Sequence, residues 1–284
     1  MSTFISISVQ KKYKNCIEQG FDIIKDVENS LSSYKPTATV YLLNKKKDIN
    51  LDTYTYEALK LCDKYYHKTD GYFDITVASI TKDLYRFGGN ERLVSLLELQ
   101  KANINFYGLK FDEKKAHLDK NIKIDLGGMG KGFAIDKVAK YFRFKGINKA
   151  MISASGDIRC LDKCKISIQD PFSENILMSF KTTQKDLAIS TSGTYNRYIK
   201  NQKNNHLINP KLKKPQTKFV SISLIGDMPN SDLDAYATAA SVMPIQTAYK
   251  FLEAIDVAYI VVLSDGLIKK AGNLSLIESD TIKK

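Results

Sequence analysis

Residues 106–136 read FYGLKFDEKKAHLDKNIKIDLGGMGKGFAID. Apolar and polar side chains alternate through FYGLKFD and KAHLDK, a period of two that predicts a β-hairpin. KIDL, residues 123–126, continues the pattern as a third strand and runs into Gly127-Gly128. Beyond the glycines the period changes. Ile135, Val138, Ala139 and Phe142 recur at helical spacing and predict a helix starting near Lys131.

The same alternation of hairpins and helices extends outward in both directions. Ile5 to Val9 alternates like a strand, and Ile17, Phe21, Ile24, Val27 and Leu31 fall on one helical face. Further helices are expected over Tyr54–Lys68, closed by Asp70-Gly71, and over Glu91–Asn103. Downstream, MISAS, KISIQD, ILMSFKT and FVSISLIG read as strands separated by turn residues. Two late helices follow, roughly Ser231–Val242 and Gln246–Ala254, before the apolar strand AYIVVL and a short last strand. The regular βαβ rhythm of a doubly wound sheet is missing, so the expected class is α+β. With no linker or repeat to divide it, the chain reads as a single domain over residues 1–284, built of two intimate lobes.

At 43% hydrophobic and 26% charged, the 284 residues have globular composition. Disordered, collagen-like and disulfide-scaffold classes are excluded. No run approaches the roughly 18 uncharged residues of a membrane span, and MSTFISISVQKKYKN carries no basic-then-apolar leader. A cytoplasmic protein is therefore expected, with Cys16, Cys62, Cys160 and Cys164 as reduced thiols. The C-x-x-x-C pair at 160 and 164 lacks the further ligands a zinc site needs. The net charge of +12 attracts phosphates, but Lys45-Lys46-Lys47, Lys213-Lys214 and Lys283-Lys284 are scattered over loops and the terminus. No nucleic-acid-binding motif organises them, so nucleic acid is not expected as a partner.

Four places carry chemistry. In the glycine bend, unpaired backbone N–H groups at a helix start can face a phosphate. Lys131 sits there although the helix dipole disfavours a cation, which an anionic ligand would explain. The plainer reading is a tight turn. On Ser231–Ala240, Asp234 and Thr238 are four apart and share a helical face; a carboxylate with a hydroxyl suits Mg²⁺, or else caps and packs. His206 precedes Asn209-Pro210 in a polar loop, a better place for function than His67 or His117, although a lone histidine there is as readily surface decoration. Asp70-Gly-Tyr-Phe-Asp74 sets two aromatics and an acid on a turn, which either flank a flat ring or plug the core. Serine-hydrolase, zincin and kinase motifs are missing.

Taken in order, TDGYFDITV, KIDLGGMGKGFAID, ISASGDI, KISIQDP, ISTSGTYNRY, HLINPK and LDAYATAASVM resemble the FAD:protein FMN transferase family, the ApbE-type flavin transferases. The resemblance implies twisted, largely antiparallel sheets packed with helices. It also implies that FMN passes from FAD to a threonine hydroxyl of a target flavoprotein, with Mg²⁺, releasing AMP. Some members instead hydrolyse FAD to FMN and AMP. Carried over by position, Tyr72, Phe73, Asp74, Asp125, Lys131 and Ile208 are FAD contacts. Gly128 and Ala237 through their carbonyls, Asp234 and Thr238 through their side chains, are the metal ligands. His206 is then the candidate to deprotonate the threonine hydroxyl or to steady the developing charge, since imidazole titrates near neutrality.

The implied ligand set carries a geometric expectation. In a regular helix the Ala237 carbonyl accepts from residue 241 and points away from Asp234, so the two cannot share one ion. An irregular turn over Asp234–Ala237 is therefore predicted, with regular helix from about Thr238 and the Gly128 carbonyl close by. The sequence also departs from the family. Ser155 stands where a glycine is usual, Ala38-Thr39 replaces Ser-Glu, Lys211-Leu212 replaces the residue-Thr-Gly after the proline, and Met1 precedes serine and is set aside.

Overall fold

The computed structural model describes residues 3–279; Met1 and Lys283-Lys284 lie outside the described residues. Its frame is a seven-stranded sheet in which every pair is antiparallel. The strands are Ile5–Val9, Ala150–Ala154, Asp157–Cys160, Leu187–Gly193, Phe219–Gly226, Val257–Leu263 and Ile268–Gly272. Their order in space is their order in the chain. Apart from Leu274–Leu276 and Ile277–Ser279, which follow the last strand, the other described elements lie in the connections between neighbours, and the expected α+β class holds.

The first connection is the longest. It holds the helices Cys16–Leu31, Thr39–Lys46 and Thr53–Lys68, the hairpin Leu109–Phe111 and Lys115–Leu118, and the helix Gly130–Phe144. The apolar face of Cys16–Leu31 buries Ile24, Val27 and Leu31, as its spacing predicts. The connection after Cys160 forms a small sheet from Lys165–Gln169 and Ile176–Thr182, edged by Ile277–Ser279. The connection after Gly193 carries the histidine loop, and the one after Gly226 carries the helices Asn230–Val242 and Ile245–Glu253. One large apolar core lies between the main sheet and the helices, and a smaller one lies under the three-stranded sheet.

Several local expectations are corrected. Among the described residues KIDL joins no sheet; the third strand beside the hairpin is Asp48–Asn50. The Asn44 side chain explains why, because it accepts from the Ile124 N–H (2.7 Å) and donates to the Ile124 carbonyl (2.8 Å). One amide thus does the work of a neighbouring strand. The helix over 91–103 shrinks to Leu96–Lys101, opened by a Ser95/Glu98 capping box. Lys45 and Lys46 form the last helical turn of Thr39–Lys46 instead of a loop. Cys160 and Cys164 are not free thiols. They form a disulfide between the main sheet and the small one.

Candidate active site

The helices Gly130–Phe144 and Asn230–Val242 bring the site together, and the sequence shows how. A side chain at Gly132 would place its Cβ 2.3 Å from the Asn230 carbonyl oxygen, so only glycine lets the two helices touch. One turn on, Asp136 accepts from the N–H groups of Asn230 (2.8 Å) and Ser231 (2.9 Å) and from the Ser231 hydroxyl (2.7 Å). The end of the glycine motif therefore caps the second helix. Within the glycine bend, Gly132 therefore serves helix packing and does not line the cleft.

With the helices so placed, Lys131 lies between two buried carboxylates. Its Nζ is 3.2 and 3.3 Å from the Asp234 oxygens, 3.1 Å from Asp157 Oδ2 and 3.5 Å from the Gly127 carbonyl oxygen. Asp157 is fully buried and Asp234 nearly so. Burial would lower the lysine's pKa, but the two carboxylates outweigh it and hold the ammonium well above its usual value. Asp157 moves the other way, pushed up to about 7 by burial and by the charge of Asp234, with Lys131 opposing. Its Oδ1 accepts from the Ser190 hydroxyl, whereas Oδ2 faces the Lys131 ammonium as an ion pair and has no further hydrogen-bond partner among the described residues. Lys131 thus has protein partners before any ligand is invoked: its one positive charge bridges two buried acids.

The geometric expectation for the metal ligands is overturned as well. Asn230–Val242 is an unbroken α-helix, and the Ala237 carbonyl accepts from the Ser241 hydroxyl at 2.8 Å. Small residues on every face (Ala235, Ala237, Ala239, Ala240) let this helix bury all round, so nothing forces the turn open. The argument that joined Ala237 and Gly128 to Asp234 on one ion falls with the irregular turn. Gly128 does stand at the helix, its carbonyl accepting from Thr238 Oγ1 at 3.4 Å, and Ser192 Oγ lies 3.2 Å from the same hydroxyl. Ala237 lies outside the cleft.

That cleft, about 1090 Å³, is lined by Tyr72, Phe73, Asp74, Asp125, Gly128, Lys131, His206, Ile208, Asp234 and Thr238 together. Phe73 packs edge-on against Tyr65 in the core while reaching Gly128, so it both plugs and lines. Asp74 is held by the Thr76 N–H (2.8 Å) and hydroxyl (2.6 Å), and burial raises its pKa. Tyr72 lies under the Lys211 ammonium, 4.2 Å from its ring centre. Ile208 is buried beside Phe87 and Ile80. A second groove, lined by Lys46, Asp48, Lys110 and His117, holds none of these residues.

Asp125 forms a second paired cluster on the wall. Lys82 approaches at 3.0 Å, the Ser33 hydroxyl at 3.2 Å and the Gly127 N–H at 3.1 Å. Burial would raise its pKa, but Lys82 and Arg197 keep it ionised. The Lys82 ammonium also covers the Tyr34 ring at 3.2 Å, and Arg197 donates to the Tyr34 hydroxyl.

His206 is half-buried. Its Nδ1 lies 3.1 Å from the Arg197 carbonyl oxygen, which can only accept, so this nitrogen carries the proton and Nε2 is the acceptor. Burial first, and then the Arg197 guanidinium, push the imidazole down to about 4. It is neutral at physiological pH, not poised near neutrality as expected. His67 and His117 stay on the surface beside Asp63 and Asp48.

Asp157, Arg197, Lys82 and Tyr34 complete the site without having been singled out. Asp157 and Arg197 stand inside ISASGDI and ISTSGTYNRY, but nothing in their spacing marks them. Their roles come from partners far along the chain. Ser155, in the usual place of a glycine, takes a left-handed φ of 59° in the turn before Asp157, a conformation glycine adopts more easily.

Comparison with known proteins finds relatives over most of the chain. An FAD:protein FMN transferase of Buchnera aphidicola (subsp. Schizaphis graminum) is 29% identical over 237 residues, covering 76% of this chain and 68% of that protein. One of Vibrio cholerae is 26% identical over 271 residues, covering 88% and 80%. Two solved structures share the fold. The ApbE protein of Thermotoga maritima superposes with a TM-score of 0.87 at 24% identity over 98% of this chain and 96% of its own. The flavin transferase ApbE of Vibrio cholerae gives 0.82 at 22% over 97% and 95%. The sequence profile of the ApbE family matches residues 1–261, and with the fold and the two packed site helices in place, the chain belongs to the ApbE family.

Proposed function

We propose that this protein transfers FMN from FAD to a threonine hydroxyl of a target flavoprotein. The threonine oxygen forms a bond to the FMN phosphorus, the bridging P–O bond of the pyrophosphate breaks, and AMP leaves. The observation that carries the reading is the pairing of a neutral His206, its Nε2 an acceptor, with the Lys131/Asp234/Thr238 cluster in one cleft. His206 takes the proton of the attacking hydroxyl. Lys131 and Arg197 offer cationic groups to the phosphates, Phe73 and Tyr72 offer aromatic surface to a flat ring, and Ile208 closes the apolar wall.

The donor set suits Mg²⁺. Asp234 and Asp157 are carboxylates, Thr238 is a hydroxyl beside the Gly128 carbonyl, and the site already balances its negative charge with a cation. Among the described residues no three acidic, histidine or cysteine side chains converge on one point. The remaining positions therefore belong to hydroxyl, carbonyl, water and substrate phosphate. The metal, when bound, neutralises the pyrophosphate and fixes its orientation.

Incubating the purified protein with FAD and Mg²⁺, with and without an acceptor flavoprotein, tests the proposal. Fluorescence migrating with the acceptor on a denaturing gel, with one AMP per flavin attached, is the expected result. AMP and FMN appearing without any labelled acceptor would make the protein an FAD pyrophosphatase with water in the threonine's place. Binding of FAD without AMP release would leave a non-catalytic flavin-binding protein.

A further inference from the structure

Lys131 contacts the same two carboxylates that a divalent ion would need. Its ammonium is 3.1 Å from Asp157 Oδ2 and 3.2 Å from Asp234 Oδ2, and the buried Asp157 Oδ2 has no other hydrogen-bond partner among the described residues. Two adjacent buried carboxylates cannot both stay ionised without a cation. Lys131 supplies that cation from the first turn of a helix whose dipole disfavours it, so the carboxylates are what hold it there. Its side chain is nevertheless about a quarter exposed to the cleft, which gives it somewhere to go.

We infer that Lys131 is an exchangeable counter-ion for the metal site. Without metal it bridges Asp157 and Asp234; when a divalent ion arrives it leaves both carboxylates and turns its ammonium into the cleft. Asp157 thereby joins Asp234 in attracting the ion. Lysine and metal then compete for one place, and the cleft gains a free cation only once the metal is loaded. A phosphate ligand is accordingly received better by the metal-loaded protein than by the empty one. The inference rests on the reading of Asp234 as a metal ligand, and its test separates the two.

Mg²⁺ binding is measured by calorimetry without FAD on the wild type, Lys131→Met and Asp234→Asn. Removing the competitor tightens Mg²⁺ binding in Lys131→Met by roughly tenfold. Its melting temperature falls below wild type without metal and recovers when Mg²⁺ is added. Asp234→Asn shows no Mg²⁺ binding. If Asp234→Asn binds Mg²⁺ like wild type, the metal-site reading itself fails. If Asp234→Asn loses binding while Lys131→Met binds no more tightly than wild type, the metal site stands and the exchange is overturned. Should Lys131→Met not fold, the wild type decides the matter. Brief acetylation with acetic anhydride, read by mass spectrometry, modifies Lys131 several-fold more with Mg²⁺ than without, and Asp234→Asn abolishes the difference. Equal labelling in the wild type with and without Mg²⁺ overturns the exchange.

Discussion

Asp234 accepts from the Lys131 ammonium through both oxygens and from the Gly132 N–H at 3.3 Å, so its charge is matched before any ligand arrives. Replacing it by asparagine leaves Lys131 paired with Asp157 alone, one charge against one, and the fold keeps its balance. Asp234→Asn is therefore expected to melt within a few degrees of wild type. Its Mg²⁺-dependent AMP release from FAD should fall by about 100-fold or more, beyond what loss of a group that merely orients a ligand costs. Turnover near wild type, with Mg²⁺ as the only divalent ion, would remove Asp234 from the metal. His206 gives a prediction in pH. Its pKa is about 4 when folded against about 6.5 when unfolded, so between those values the unfolded chain binds more protons. The stability this represents is complete above pH 6.5 and is lost as pH falls toward 4, by at most about 3 kcal/mol. His206→Gln should therefore show a flatter fall of melting temperature with acid across that window than wild type does.

The two site helices meet at a point that one glycine decides. Gly132→Ala sets a methyl group against the Asn230 carbonyl, and backbone cannot step aside as a side chain would. Overpacking of this kind costs about 1–3 kcal/mol, a fall of roughly 2–4 °C in melting temperature per kcal/mol. Two positions earlier, an added Cβ at Gly130 meets nothing within 4 Å, so Gly130→Ala should melt at or above wild type. Scanning calorimetry on the pair checks both signs. The sequence showed the elements better than what they are for. The alternation in FVSISLIG and the spacing from Ile135 to Phe142 name a strand and a helix, because burial imposes a period that local reading can detect. KIDL carries the period of a strand without being one, because the partner that satisfies its backbone is a side chain eighty positions away, and such pairing leaves no local signature. Leu187–Gly193, a central strand, was missed because serines at 190 and 192 and Thr191 interrupt its apolar run. Among the residues that line the cleft, the histidine and the Asp234/Thr238 pair are legible from residue type and spacing. Asp157 was not, since a buried acid on a strand declares itself only through the lysine it meets.

Across the molecule, the Cys160–Cys164 bond ties the main sheet to the small sheet whose residues Ile166 to Gln169 form one wall of the cleft. Closing so short a loop stabilises by roughly 2 kcal/mol on the chain-entropy account. Cys160→Ser with Cys164→Ser should lower the melting temperature by a few degrees, and reductant should lower that of wild type by the same amount and leave the variant unchanged. Disulfides persist in oxidising compartments and are rare in reducing ones. Thiol titration of the protein as isolated, with Cys62 buried and Cys16 half-buried beside the bonded pair, reads its state directly. No described helix is long and apolar enough to cross a membrane. The order of strands also has a consequence for how the chain is made. Among the described residues Ile5–Val9 pairs only with Ala150–Ala154, and the residues between them form the entire first connection. On a ribosome adding about 5–20 residues per second, that first strand waits on the order of 10–30 s for its partner to emerge. During that interval its backbone is an open edge, and the neighbouring lysines at 11, 12 and 14 are the charges that discourage other chains from pairing with it.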